Sequence, residues 1–290
     1  MADNVVVFGA AGQLGVELVQ TLRARGFAVH PFNRASVDIT DLPLLERTLA
    51  PLDPRVVINA AAYNQVDVAE QEPQAAYAAN GLGVRNLAVA CRQLDALLVH
   101  FSTDYVFDGT LGRAYTEDDR PRPLGAYAVS KLAGELYAQA YLDNPLIIRT
   151  SGVFGPGGLR TARGNFVEVM LRLAASGQPI RVTEDHVASP TYAPALAEKT
   201  ADLIASPHRG LFHIGGGRAI SWFEFAAAIF RAAGVSPELK PTNEREYRTA
   251  ARRPKYSALE NTRLAACGIA PMPPIEEALA AYMTERAKYK

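Results

Sequence analysis

The sequence predicts an α/β chain: a doubly wound parallel sheet followed by a smaller α+β substrate-binding cap. Three observations carry that expectation. Short β-branched apolar runs alternate with helical patterns through the first half. The first of these runs enters a glycine turn, Gly9-Ala10-Ala11-Gly12-Gln13-Leu14-Gly15, that opens directly onto a helical pattern. After Arg149 the alternation stops, and a glycine-rich stretch with Gly152, Gly155, Gly157 and Gly158 begins a different texture.

Taken in order, residues 5–8 (Val-Val-Val-Phe) read as a strand, 12–25 as a helix, 28–32 as a strand and 42–49 as a helix. The pattern continues with a strand at 56–58, a helix at 75–91, a strand at 97–101, a helix at 127–141 and a strand at 146–148. Strands this short and this apolar are those of a sheet covered on both faces. In the second half the expected elements are a helix over 165–175, a strand at 180–182, a helix over 221–233 and a terminal helix from 275. Residues 237–254 form a charged, proline-containing region. The expected division is a nucleotide-binding domain over 1–150, taking back a strand and helix from about 183–215, and a substrate-binding domain over 151–290.

At 290 residues, with 49% hydrophobic and 21% charged, the chain is of ordinary globular composition and long enough for two subdomains. Thirty basic and thirty acidic residues cancel, so neither nucleic acid nor a membrane surface is an expected partner. No run approaches the roughly 20 apolar residues that span a bilayer. The N-terminus carries no leader pattern, and a cytoplasmic location is expected. Cys91 and Cys267 lie far apart without metal or redox spacing, and the five histidines show none either, so no metal is assigned.

The glycine turn carries chemistry. Glycines between a strand and a helix allow backbone N–H groups to approach a pyrophosphate and let helix and strand pack closely. Where an acidic residue selects NAD, at the end of the second strand, this chain has Asn33-Arg34, and an arginine there accommodates a 2′-phosphate. NADPH is therefore expected, with NADH as the alternative if Arg34 is a solvated loop residue. Tyr127 and Lys131 stand four residues apart on one helical turn. A lysine beside the phenol is expected to lower its pKa from about 10, making Tyr127 a proton donor or acceptor near neutrality.

The Gly-x-x-Gly-x-x-Gly spacing and the Tyr127/Lys131 pair resemble the extended short-chain dehydrogenase/reductase group of Rossmann enzymes. Further segments narrow the resemblance to the dTDP-4-dehydrorhamnose reductase family: Val37 to Asp41, Val57 to Tyr63, Ser102 to Gly109, Tyr127 to Glu135 and Arg149 to Ser151. Gly164 to Phe166, Ser189 to Tyr192, Ser221-Trp222 and Arg252-Arg253-Pro254 continue it in order along nearly the whole chain.

That resemblance implies NADPH-dependent reduction of the 4-keto group of dTDP-4-dehydro-L-rhamnose to dTDP-L-rhamnose, by a monomer or homodimer. It implies a cofactor site of Gly9, Gly12, Gln13, Leu14, Gly15, Asn33, Arg34, Asp38, Ile39, Ala60, Ala61 and Ala62, with Tyr127 and Lys131. It makes Thr103, Tyr127 and Lys131 catalytic, with Thr103 on the substrate carbonyl oxygen and Lys131 also holding the nicotinamide ribose. It sets Asp104 and Tyr105 around the sugar, and Asn165 and Arg253 at the nucleotide end. Asn80 reads either as part of the site or as a helix N-cap, and Trp222 as a core anchor.

Three positions depart from the family pattern. Gly152 stands where an aromatic residue often follows Arg-Thr-Ser, Asn64 where threonine is frequent, and His186 where glutamine is frequent. All three bear on substrate selection. Tyr105 stands where sugar-nucleotide dehydratases carry a glutamate, which leaves elimination of water without a base. The other readings are a different sugar-nucleotide 4-ketoreductase or epimerase, and a non-catalytic module resembling the regulatory subunit of methionine adenosyltransferase.

Overall fold

The computed structural model describes residues 3–161, 164–246 and 248–288. Its first half winds β1 (Asn4–Phe8), α1 (Gln13–Ala24), β2 (Ala28–Phe32), α2 (Leu42–Leu49) and β3 (Val56–Asn59). Next come a short α3 (Val66–Ala69), α4 (Pro73–Tyr77), a π-helical turn (Ala78–Leu82), α5 (Gly83–Leu94), β4 (Leu97–Thr103), α6 (Ala126–Tyr141) and β5 (Leu146–Thr150). Val5, Val6 and Val7 are wholly buried and Phe8 nearly so, because β1 runs through the middle of the sheet with apolar cover on both faces. Each such side chain contributes about 1.5–3 kcal/mol relative to exposure.

The second half adds α7 (Phe166–Ala175), β6 (Ile180–Thr183), β7 (Val187–Ala188), α8 (Ala193–Ala205), β8 (Gly210–His213) and β9 (Ile220–Ser221). It ends with α9 (Trp222–Ala233), β10 (Leu239–Thr242), α10 (Thr262–Ala266) and α11 (Ile275–Ala287). The main sheet is parallel throughout, in the order β2-β1-β3-β4-β5-β8. So β8 returns to the edge of the first-half sheet, and α8 packs along α1, where Arg25 bonds Asp202 at 2.7 Å. The cap is built on α7, α9 and α11 around Phe154, Phe225, Ile229 and Tyr282, with the parallel pair β6 and β10 and the antiparallel pair β7 and β9. A capping box starts α9: Ser221 Oγ accepts from the Glu224 N–H, and the Glu224 carboxylate accepts from the Ser221 N–H.

The helix expected over 75–91 is three pieces. The π-turn interrupts it and turns Asn80 inward, where it is 1% exposed. Asn80 is therefore no N-cap. Its Oδ1 accepts from the Tyr63 N–H at 2.8 Å, and its Nδ2 donates to Tyr63 O at 2.9 Å and to Ser130 Oγ at 3.0 Å.

Candidate active site

The turn after β1 is shaped by what cannot fit there. Gly9 has φ +75, and a Cβ on it would lie 2.5 Å from the Ala60 carbonyl carbon and the Ala61 nitrogen at the end of β3. A Cβ on Gly15 would lie 2.1 Å from Gly9 O. Gly12 precedes α1 without a side-chain cap, so the first N–H groups of the helix remain available to an anion. Leu14 packs into the core beneath the turn. Beside it, Asn59 Oδ1 accepts from the Ala61 N–H at 3.1 Å, holding Ala60, Ala61 and Ala62 along the crevice at the carboxyl ends of the strands.

At the end of β2, Asn33 forms a turn with Ser36, and Arg34 Nε donates to Asp38 Oδ2 at 3.2 Å. The Arg34 side chain is 87% exposed, so this pair is weakly held and the guanidinium is free to reorient. Asp38 Oδ1 also accepts from the Thr40 N–H and hydroxyl. Ile39 is buried in the core against Gly83; it backs this region rather than opening onto it.

Thr103 ends β4, and its hydroxyl lies close enough to the Tyr127 phenol to act on its ionisation. Tyr127 lies in the first turn of α6, which Glu70 fixes by accepting the Ala126 N–H at 2.8 Å. Tyr105 meets Tyr127 edge-on at 6.2 Å between ring centroids. One turn further, Lys131 is 3% exposed and its Nζ donates to Phe101 O at 2.5 Å. Thr103, Tyr127 and Lys131 thus gather at the carboxyl end of the fourth strand, where open parallel sheets bind their ligands.

The expected lowering of the Tyr127 pKa is not met. Burial pushes the phenol well above its usual range, the charges of Asp104 and Tyr105 add to this, and the Thr103 contact only partly offsets it. Lys131 does not act on it, because its ammonium is turned to the Phe101 carbonyl. Tyr127 is therefore fully protonated near pH 7, which suits a proton donor. Burial instead acts on Lys131, bringing it down to about 8 against the upward pull of Glu135.

Tyr105 also forms a wall of a larger cleft of about 240 Å³, lined with Asp67, Phe166, His186, Trp222, Glu244 and Arg253 among others. Tyr127 lines a narrow neighbouring crevice with Glu70, Gly125 and Arg252. Arg253 is held there by Asp67, with Nη2 donating to Oδ2 at 2.7 Å, and it also contacts the Tyr105 hydroxyl. Trp222 packs on Phe166 at 4.7 Å and presents its ring to the cleft, so it is both anchor and wall. It also explains Gly152: a Cβ there would lie 3.1 Å from Trp222 Cη2. The aromatic surface absent from position 152 is filled from α9.

Two expected substrate residues face elsewhere. Asn165, 8% exposed, caps α7 by accepting the Glu168 N–H, and its Nδ2 donates to Gln13 Oε1, Gly155 O and Tyr282 OH. Gln13 in turn donates to Val153 O at 2.7 Å, so the pair clamps the loop after β5 to the start of α1. Asp104, 3% exposed, spends both oxygens on hydroxyls of Thr103, Ser151 and Ser257. A carboxylate or amide whose bonding capacity is already met inside the protein has little left for a sugar or phosphate.

The sequence reading missed the support beneath these groups. Glu135 accepts from Arg149 Nε at 2.9 Å and Nη2 at 2.7 Å and also from the Ser102 hydroxyl, all of it buried one turn below Lys131. Apolar flanks on both Glu135 and Arg149 were the available signal, since an isolated charge in such runs needs a partner. Among the described residues, no group of three or more His, Cys, Asp or Glu is arranged to hold a metal ion, and no helix is long and apolar enough to cross a membrane.

A parallel sheet of this order, with a glycine turn at its first crossover and a Thr-Tyr-Lys set at the end of the fourth strand, defines a nucleotide-cofactor-dependent oxidoreductase. The family described as the RmlD substrate binding domain matches residues 3–288. The chain is 38% identical to the spore coat polysaccharide biosynthesis protein SpsK of Bacillus subtilis over 98% of both chains. It is 39% identical to a dTDP-4-dehydrorhamnose reductase of Streptomyces griseus, over 92% of this chain and 88% of that one. The crystal structure of dTDP-4-dehydrorhamnose reductase from Bacillus anthracis in complex with NADP superposes with a TM-score of 0.93 at 36% identity, covering 98% of this chain and all of the other. The chain belongs to the RmlD, or dTDP-4-dehydrorhamnose reductase, family of NAD(P)-dependent sugar-nucleotide oxidoreductases.

Proposed function

We propose that this protein reduces the 4-keto group of dTDP-4-dehydro-L-rhamnose to give dTDP-L-rhamnose, with NADPH, or alternatively NADH, as reductant. The observation that carries the reading is the gathering of Thr103, Tyr127 and Lys131 where β4 ends and α6 begins, at the carboxyl edge of the sheet. The glycine turn fits such a cofactor: Gly9 and Gly15 let the turn close backbone against backbone on the end of β3 and on itself, and the start of α1 offers unspent N–H groups to a diphosphate.

The dinucleotide, when bound, supplies the hydride that reaches C4 of the sugar. Tyr127 gives its proton to the ketone oxygen, which becomes the 4-hydroxyl. Thr103 rests against the phenol and keeps it at the place where that oxygen lodges. Lys131 would hold the nicotinamide ribose, Arg34 and Asp38 would meet the adenosine end, and Ala60, Ala61 and Ala62 would leave room along β3. Tyr105 and Arg253 take the nucleotide sugar from the cleft side, the guanidinium supplying planar donors to the diphosphate.

The test is a panel of 4-keto-6-deoxy sugars carrying dTDP, UDP or GDP, with NADPH oxidation followed at high protein concentration. Oxidation with the dTDP ketose above the others supports the reading. Oxidation with none would replace it by the non-catalytic module. A second reading, reduction of a different nucleotide-linked 4-keto sugar, draws support from Gly152, which departs from the family pattern and leaves Trp222 as an aromatic wall of the cleft.

A further inference from the structure

Asp104 follows Thr103 in the chain, and neither residue is among those lining the cleft or the narrow crevice. Its Oδ1 accepts from Thr103 Oγ1 at 3.1 Å; its Oδ2 accepts from Ser151 Oγ at 2.8 Å and Ser257 Oγ at 2.5 Å. The three hydroxyls come from the end of β4, the residue after β5 and the segment that returns from the cap. Among the described residues, no cation pairs with this carboxylate. Burying such a group is costly, and three hydroxyl donors are what offsets the cost. Burial pushes it up to about 6 despite them.

The consequence falls on Thr103. A threonine hydroxyl has one proton and two acceptor positions. Here the proton goes to Asp104, and the Tyr105 N–H donates to the same oxygen at 3.2 Å. One acceptor position is left, and the Tyr127 phenol lies near this hydroxyl. The Thr103 oxygen is thus fixed before any substrate arrives, and Asp104 is the group that fixes its rotamer.

We infer that Asp104 is a positioning residue that acts through Thr103, setting the hydroxyl against which Tyr127 rests, and is not a ligand of the sugar. The inference rests on the proposed ketone reduction for its kinetic meaning. Substituting Asn for Asp104 replaces an acceptor oxygen by an NH2 group facing hydroxyls that are themselves oriented to donate. At least one of the three hydroxyls must then turn its proton away and accept instead.

The test is a double-mutant cycle in kcat over wild type, Asp104→Asn, Thr103→Ala and the double variant, with NADPH affinity followed by fluorescence titration. Asp104→Asn is expected to lower kcat by about 100-fold, the scale of a small misplacement at the reacting atoms, with NADPH affinity unchanged. In the Thr103→Ala background the same substitution is expected to lower kcat by less than about threefold, because the group it acts through is gone. An equal loss in both backgrounds would overturn the inference in favour of a merely structural role. Should Asp104→Asn fail to fold, Ser151→Ala removes one donor and serves in the same cycle, with about a tenfold loss expected in wild type and additivity again decisive against the inference. Should wild type reduce no ketose at all, the proposed function falls. The inference is then read from crystals of Asp104→Asn, or of Ser151→Ala: a Thr103 hydroxyl displaced from Tyr127 supports it, and one unmoved overturns it.

Discussion

Arg253 crosses 186 positions of sequence to close a two-pronged ion pair on Asp67, Nη1 to Oδ1 at 3.1 Å and Nη2 to Oδ2 at 2.7 Å. The pair stands at the cleft wall beside Tyr105, and the fork also fixes the segment of which Arg253 is part, since Asp67 Oδ1 accepts the Ala251 N–H at 3.0 Å. Arg253→Lys keeps the charge and loses the planar fork. The expected result is a KM for the nucleotide sugar raised about tenfold with kcat within about threefold, as for a group that binds ground and transition states alike. Steady-state kinetics with the ketose varied at saturating NADPH checks this; an unchanged KM would remove Arg253 from the substrate site.

Tyr127→Phe deletes the proton donor and leaves the ring. The expected loss in kcat is about 10²–10⁴-fold, the usual worth of a positioned general acid. NADPH affinity should stay within about twofold, since no bond from the phenol supports the glycine turn. Single-turnover kinetics and a fluorescence titration separate the two quantities, and a variant that keeps its turnover contradicts the assigned role.

Arg34 is the exposed cation at the end of β2, and its partner Asp38 is held independently by Thr40. Arg34→Ala should therefore leave the fold intact and raise the KM for NADPH by about tenfold, while the KM for NADH changes little. Parallel titrations with both cofactors decide it. Equal losses for the two would mean that Arg34 does not read a 2′-phosphate.

Glu135 and Arg149 are 2% and 3% exposed at their side chains, and removing one charge strands the other. Glu135→Gln is expected to destabilise the protein by about 3–5 kcal/mol. Urea unfolding at neutral pH measures this, and a loss below about 1 kcal/mol would show that the guanidinium finds another partner.

His213 is wholly buried, with Nδ1 at 3.0 Å from Tyr115 O. Burial, then the charge of Arg149, brings it down to about 3 from 6.5. Between those pH values the unfolded chain binds a proton that the native state refuses, so its contribution is complete above pH 6.5 and is lost as the pH falls toward 3. The slope is about 1.4 kcal/mol per pH unit for one proton. His213→Gln should reduce the pH dependence of unfolding between pH 6 and 4 by about that amount; an unaltered slope would show that His213 already carries its proton in the native state.

What could be read from the chain divides along the range of the interactions. The strands β1, β3 and β5 were legible because each is a short apolar run covered on both faces, the edge strand β2 by its place after the first helix, and the glycine turn because Gly9 and Gly15 touch backbone only a few elements away. The short strands β7, β9 and β10 were not: two to four residues carry too little periodicity to mark. The π-turn at Asn80 was hidden for another reason, since a helix with one extra residue keeps its apolar character. In the site, Thr103, Tyr127 and Lys131 stood out by local spacing. The partners of Asp104 could not be read, because Ser151 and Ser257 lie 47 and 153 positions away and nothing in the local pattern announces them. The expected effect of Lys131 on Tyr127 failed in the same way. Spacing set the two on one turn, but the Phe101 carbonyl, which only the fold brings there, claimed the ammonium.

Convergence of hydride and proton on a sugar ketone beside Tyr127 is tested with NADPH deuterated at its transferable position, dTDP-4-dehydro-L-rhamnose as substrate and NMR of the product. The expected product is dTDP-L-rhamnose with deuterium bonded to C4, formed in proportion to the NADPH consumed. Deuterium at any other carbon, or all of it left in the dinucleotide, would overturn the proposed reduction.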